Sequence, residues 1–316
     1  VDKRLILEIL DCLPKERTVF RYFKGRYALM LLKNVIGKGE KVNQLRKTPY
    51  ANLLEKPEVR QVLAQVGQGL VTREHLDSVW STNTLHFILT VDIWGGSSYR
   101  YNQTSRRGYN LVLQLNFSNQ HDGAYRRMVK PKYHQMLNHD THPVLRTGAR
   151  PYFRETLAWS RIDVDFPANS ALIEEVQCDW LRRAKFLLSH ARRRKMTNQE
   201  TVLWRESRGK VNDVIAYCEE ILLPYQQIWD EALLTATIEF IKTELSIHQI
   251  FYHTHTTGHV VKNIKGDKPP VSLYDKLPRK FCFIRQDQAP AFLYQDKSFR
   301  RAYKQIQKPT WYYLAV

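Results

Sequence analysis

At 316 residues, 43% hydrophobic and 12% aromatic, the chain has the apolar bulk for a large core, and its composition excludes a disordered protein. Its 49 Lys and Arg against 31 Asp and Glu give a formal charge of +18, an excess that a polyanion relieves, so nucleic acid is the expected partner, ahead of an anionic membrane surface. Cys12, Cys178, Cys218 and Cys282 form no CxxC pair, which argues against a thiolate metal cluster or a disulfide framework, and no apolar run reaches the ~20 residues of a membrane span, so the expected setting is cytoplasmic.

In chain order, residues 1–80 read as a helical subdomain. Leu5, Ile6, Ile9 and Leu10 recur at helical spacing up to Pro14. Glu16–Ile36 reads as a second amphipathic helix despite Gly25, and Thr48-Pro49, Pro57 and Thr72 as further helix starts. Two uses stand for these helices: packing on the main body, or a helix-turn-helix. After Ser81 the period changes to two. Leu85–Ile93 and Tyr109–Phe117 predict an antiparallel pair joined by a long loop. That loop mixes Tyr99, Arg100, Tyr101, Arg106 and Arg107, either a solvated hairpin loop or stacking and phosphate groups of the kind that grip single strands. Residues 123–150, with Arg126, Arg127, Lys130, Lys132 and Arg146, read as an irregular basic loop or lid.

Ile162–Phe166 and Ala171–Gln177 read as strands around the turn formers Pro167, Asn169 and Ser170. Trp180–Arg194 reads as a helix ending in Arg192, Arg193 and Arg194, which either match the helix dipole or contact phosphate. A long helix, broken at Pro224, is expected to run to Leu245, followed by a strand at His248–Thr254 and an edge strand at Trp311–Val316. The fold class is therefore α+β (mixed α/β). A helical subdomain (1–80) precedes an α/β domain (81–316) built on a mixed or antiparallel sheet flanked by helices.

Asp163, Asp165, Glu174, Glu175 and Asp179 crowd one region of a basic chain. Such carboxylates hold a metal, pair with nearby Arg, or do acid–base work. One reading is a metal-dependent nuclease. Restriction-endonuclease-like enzymes carry an Asp on one strand and an acidic-x-Lys pair, sometimes acidic-x-Gln, on the next. Here Asp163 or Asp165 would be followed by Glu175-Val176-Gln177, with 175 and 177 on one strand face and Glu174 on the other. Asp163 and Glu175 would hold Mg²⁺ or Mn²⁺, and Gln177 would orient the attacking water. In the competing structural reading the same acids pair with Arg161, Arg182 or Arg183. His253, His255 and His259 offer a further metal or phosphate cluster, with Lys262 and Lys265 favouring phosphate.

The stretch Glu174-Glu175-Val176-Gln177-Cys178-Asp179-Trp180, with Arg161 to Asp165 upstream and Trp229, Thr254 and Tyr274-Asp275-Lys276-Leu277-Pro278 downstream, resembles a domain of very large phage and mobile-element polyvalent proteins that carries an EIQSDW-type signature. Cys178 stands where that signature has Ser. The resemblance covers about residues 157–283 and implies a phage, mobile-element or anti-phage-defence setting rather than a reaction. Leu273–Phe283 also resembles the closing helix and tyrosine-bearing segment of the acetyltransferase (GNAT) fold, which implies an acyltransferase acting on a nucleic-acid-linked substrate. The glycine loop that would cradle the coenzyme pyrophosphate is absent after Gln177. A third class is a nucleic-acid-binding subunit of a protein complex, without catalysis.

Overall fold

The computed structural model of the chain describes residues 1–13, 18–66, 69–96, 103–145, 154–264, 266 and 270–316. Arg100, Tyr99, Tyr101, Arg146 and Lys265, expected to contact nucleic acid or to lie in basic loops, fall outside them.

Asp2 caps α1 (Lys3–Cys12), its carboxylate accepting the Leu5 amide at 3.0 Å. The single helix expected over Glu16–Ile36 is instead a strand and a helix, β1 (Thr18–Tyr22) and α2 (Arg26–Val35). Val19, Phe20 and Tyr22 favour extended backbone, and pairing with Leu85–Leu89 outweighs the helical spacing. Gly25 makes the break: it sits at φ 85, where a side chain would be strained, and its amide donates to Glu231 Oε1 at 3.1 Å.

A small ladder of β2 (Glu40–Lys41) and β3 (Leu70–Val71) encloses α3 (Val42–Leu45) and α4 (Pro57–Gln65). Pro57 opens α4 as expected, whereas Thr48-Pro49 leads only into a 3₁₀ turn at Ala51–Glu55. Thr72 caps α5 (Arg73–Asp77). β4 (Leu85–Gly95) and β5 (Tyr109–Asn116) are the expected antiparallel pair. Part of the segment expected to be irregular is α6 (Asn119–Met128), capped by Ser118. Gly123 and a polar outer face hide its periodicity, while His121, Asp122, Ala124 and Tyr125 bury the other face.

β6 (Thr156–Asp165) and β7 (Ser170–Gln177) form the central hairpin, with Asn169 of the turn at φ 47. Then come α7 (Asp179–Met196), α8 (Val211–Ala216), a π turn at Tyr217–Ile221, α9 (Leu223–Gln226) and α10 (Trp229–Thr243), so the long helix is interrupted. β8 (Gln249–His253), α11 (His255–Val261), α12 (Leu277–Lys280), β9 (Ile284–Gln286), α13 (Lys297–Tyr303) and β10 (Trp311–Ala315) complete the described elements.

The large sheet has eight strands in the order β1-β4-β5-β6-β7-β8-β10-β9, and with the flanking helices it makes an α+β fold. β10 is not the expected edge strand: it pairs with β8 on one side and β9 on the other. Every adjacent pair is antiparallel except β7 and β8. That parallel pairing lasts only from Ser170/Gln249 to Ile173/Tyr252, after which the strands part.

The two faces of the sheet differ. Ala158, Ser160, Ile162 and Val164 of β6, with Ala171, Ile173 and Val176 of β7, turn to the apolar side, where the Ser160 hydroxyl meets Thr237 of α10 at 2.7 Å. One core cluster runs from Ile6 through these residues to Leu314. The opposite face is polar and yet buried, and the chemistry lies there. Among the described residues no helix is long and apolar enough to cross a membrane.

Candidate functional site

Trp159, Arg161 and Asp163 alternate on the polar face of β6, opposite Gln177, Glu175 and Leu172 of β7. The sheet thus places Glu175 and Gln177 on one face, as their spacing predicts, and Asp163 on the same face. Glu174 departs from simple alternation. Arg161 pairs with Glu175 and Ile162 with Ile173, so Glu174 is the extra residue of a β-bulge. The bulge turns Glu174 to the same side as Glu175 instead of the opposite face. Glu174 accepts the Ser105 amide at 2.8 Å, the Ser105 hydroxyl at 2.9 Å and His253 Nε2 at 3.0 Å. Nothing in the residue types of 173–175 announces the extra residue.

The β7/β8 split and the bulge together gather a buried ion cluster. The Arg161 side chain is fully buried; its Nη2 donates to Glu175 Oε2 and to the Gln103 carbonyl at 2.7 Å. Its guanidinium lies 5.0 Å from the Trp94 ring centroid and 5.9 Å from that of Trp159. Lys262 was expected to face phosphate. It is instead buried, donating to the Glu174 carbonyl at 2.8 Å and the Tyr274 hydroxyl at 3.2 Å, with Glu175 Oε2 at 3.9 Å. Burial lowers its pKa against the pull of Glu175. Burial alone would raise Glu174; the hydrogen bond from His253, with the charges of Lys262 and Arg161, instead holds its pKa at about 2. Burial lowers that of His253, so the neutral ring donates from Nε2. Its Nδ1 has no partner among the described residues. Ser105, His253 and Glu174 do not form a nucleophile relay, because hydroxyl and carboxylate both meet the same ring nitrogen.

The three histidines do not converge. His253 ends β8 and points inward, whereas His255 begins α11 and receives the His259 ring on its carbonyl at 2.9 Å. Strand alternation cannot carry past Thr254, which caps the helix. Gly258 passes so close to His253 that an added Cβ would lie 2.9 Å from that residue's own Cβ.

Asp163 is fully buried and held by Arg106, whose Nε donates to Oδ2 at 2.6 Å and Nη2 to Oδ1 at 2.9 Å. Burial nevertheless raises its pKa. Asp165 accepts the Ala168 amide at 3.1 Å inside the turn. Arg106 also lies over Phe292, 4.3 Å from the ring centroid, so this largely covered cation is turned to Asp163 rather than outward to phosphate. These carboxylates do not fit the expected Mg²⁺ or Mn²⁺ site. Both Asp163 oxygens are spent on Arg106, Glu175 is spent on Arg161, and Gln177 lies four residues along the ladder from Asp163, roughly 13 Å at strand rise. Among the described residues no three His, Cys, Asp or Glu groups converge as metal ligands.

Gln177 belongs to a different constellation that sequence reasoning missed. Asp179, the first residue of α7, is buried and accepts from His142 Nδ1, Arg182 and, at 2.9 Å, Gln177 Nε2. Burial works against its ionisation, but the bonds from His142 and Gln177 and the charge of Arg182 keep its pKa low. His142 leans edge-on to Trp159 at 5.5 Å and stacks near His139 at 4.7 Å. The signal was the pair His139-x-x-His142 in a segment taken as a plain basic loop. Cys178 lies just before, its thiol donating to the Leu157 carbonyl at 3.0 Å, and burial raises its pKa far above the thiol range.

Of the other expected basic contacts, Arg107, Arg126, Arg127, Arg192 and Arg193 are exposed. Arg192 is tied to Glu219 at 3.2 Å through Nε, and half-buried Arg194 donates to the Thr201 carbonyl at 2.8 Å. No family model, curated protein or solved structure matches this chain.

Proposed function

We propose that the protein binds a nucleic-acid backbone on a basic face formed by the end of α6, the 201–210 segment and the last turns of α7. One observation carries this reading. Among the described residues the buried acids are Asp122, Glu155, Asp163, Glu174, Glu175, Asp179 and Glu231, while only Arg154, Arg161 and Lys262 are buried among Lys and Arg. The surface is therefore more positive than the net charge of +18 suggests.

The exposed cations form a connected field. The Arg208 amide donates to the Lys130 carbonyl at 3.2 Å, which places Arg208 and Lys210 beside Arg127 and Lys130. Lys210 bridges to Thr201, which holds Arg194 of α7. Half-buried Trp204 and exposed Tyr133 flank Arg205 and supply stacking surface. With the acidic core spent on internal ion pairs, the metal-dependent nuclease expectation at Asp163 and Glu175 narrows to binding. The resemblance to polyvalent-protein domains supports a phage or defence setting for that binding.

The test is binding to labelled DNA and RNA at several salt concentrations. Affinity should fall steeply between 50 and 200 mM salt, by about three decades if roughly six phosphates are contacted. The Arg127→Ala/Lys130→Ala/Arg208→Ala variant should weaken binding regardless of sequence and reduce the salt slope by about one per lost contact. Salt-insensitive binding, or an unchanged slope in the variant, sinks the reading.

A second reading, a coenzyme-dependent acyltransferase, draws on the parting of β7 and β8. Open sheets take ligands outside the carboxyl ends of strands at such a switch in strand order, and Glu174, Glu175 and His253 stand there. Against it, Asp179 puts a carboxylate at the start of α7, where a pyrophosphate would need bare amides. This reading requires acetyl-CoA at a hundredfold excess over Kd to stabilise the fold by about 2.7 kcal/mol. An unchanged Tm in millimolar acetyl-CoA removes it.

A further inference from the structure

We propose that His142, oriented by Asp179, is the general base of a metal-independent RNA-cleaving site at the end of the basic face. The proposal rests on the nucleic-acid reading and adds a substrate class and a reaction to it.

The geometry assigns the roles. The Asp179 carboxylate has no exposed surface, and His142 keeps about a fifth of its side chain in solvent. Nδ1 of His142 is turned to the carboxylate, with Gln177 Nε2 3.1 Å away, and in the tautomer that donates from Nδ1 to Asp179 it is Nε2 that carries the lone pair. Nε2 has no hydrogen-bond partner among the described residues, and a free, outward lone pair on an imidazole backed by a buried anion is what a base needs. Gln177 holds the other oxygen of the same carboxylate, which fixes the pair against rotation. The His139 ring accepts the Thr141 amide on Nδ1 at 3.4 Å, so in its neutral form it presents an N–H from Nε2.

A phosphate clamp lies alongside. Arg183 lies within electrostatic range of His139 and Asp179, and its buried Nη1 has no hydrogen-bond partner among the described residues. Arg205, within electrostatic range of Arg183, donates to the Tyr133 hydroxyl at 3.3 Å and so links the clamp to the basic face. A backbone crossing from Arg208 and Lys130 toward α7 would bring a phosphodiester to His142.

The step needs no co-reactant. His142 Nε2 takes the proton of a ribose 2′-hydroxyl. The 2′-oxygen attacks the adjacent phosphorus and forms the O–P bond as the bond to the 5′-oxygen breaks. The leaving oxygen takes a proton from solvent, and His142 later returns its proton to solvent. The products are a 2′,3′-cyclic phosphate and a 5′-hydroxyl. The Arg183 guanidinium stabilises the charge on the non-bridging oxygens. DNA, lacking the 2′-hydroxyl, is bound and not cut.

The experiment incubates the full chain with end-labelled RNA, 2′-O-methyl RNA and DNA in EDTA, with binding measured in parallel. The expected result is cleavage of RNA alone, to cyclic-phosphate ends. His142→Ala and His142→Gln should each lose at least a hundredfold in rate, with Tm and RNA affinity kept. Asp179→Asn tests the positioning residue. Loss of the carboxylate that orients the ring should lower kcat while KM for RNA stays unchanged, and an unchanged kcat, or a loss that appears in KM instead, overturns that role. RNA bound but uncut overturns the site and leaves the binding reading standing. Cutting that survives in both His142 variants, or that EDTA abolishes, overturns it too. Absence of binding overturns the reading on which it rests.

Discussion

Arg161→Met is expected to destabilise the fold by about 3–5 kcal/mol, because removing one partner of a buried ion pair leaves the other charge uncompensated. The Arg161 side chain has no exposed surface, and Glu175 beside it is 8% exposed. Lys262 is the next cation, 3.9 Å from Glu175 Oε2, too long for a full hydrogen bond. The substitution also strips the guanidinium from Trp94 and Trp159 and frees the Gln103 carbonyl. The double variant Arg161→Met/Glu175→Gln should recover much of the loss, since it removes the stranded charge along with its partner. Urea denaturation of the parent, both single variants and the double variant measures the coupling. A cost below about 1 kcal/mol for Arg161→Met would mean that the pair is dispensable. A double variant as unstable as the sum of the two singles would locate the effect in packing against the tryptophans instead.

This cluster shows where the sequence is readable. Alternation correctly placed Glu175 and Gln177 on one face, because Glu175 to Gln177 runs as ordinary ladder. The bulge at Glu174 was not readable, since one extra residue leaves no mark in residue type, yet it decides that two carboxylates instead of one enter the site. The destinations of the cations were equally hidden. Lys262 and Arg106 read as surface charges, yet Lys262 is buried and Arg106 largely covered, because their partners lie 88 residues away at Glu174 and 57 residues away at Asp163. The hairpin and the helices beginning at Pro57 and Asp179 were legible from turn formers, a first-turn proline and apolar spacing. β1 was not, because its helical spacing is overridden by a partner strand some 65 residues downstream. The His142–Asp179 pair joins a loop to a helix start 37 residues on. Only the two histidines three residues apart hinted at it.

The difference in unfolding free energy between Glu155→Gln and the parent is expected to change by several kcal/mol between pH 5 and pH 8, in favour of the variant as pH rises. Glu155 is 2% exposed, and burial lifts its pKa from 4.5 to about 8 against the hydrogen bond from the Gln135 amide at 2.8 Å. A carboxyl raised in the folded state holds a proton there that the unfolded chain has already lost. Its stabilising contribution is complete below the unfolded pKa and is lost as pH climbs through the window to the folded pKa. At about 1.4 kcal/mol per pKa unit, the shift corresponds to roughly 4–5 kcal/mol across the whole window. Gln keeps the volume and an acceptor for the Gln135 amide but cannot ionise, so it removes this slope. Glu174 does not interfere, since its pKa of about 2 confines its contribution to acid pH. Buried His121 and His253, whose pKa values burial lowers, give a slope of the opposite sign near and below neutrality, common to parent and variant. The difference between the two stability–pH curves therefore reports Glu155 together with its coupling to His134, whose Nε2 lies 3.9 Å from the carboxylate. Parallel curves would show that Glu155 titrates alike in the folded and unfolded chains, and hence that water reaches the carboxyl in the folded protein.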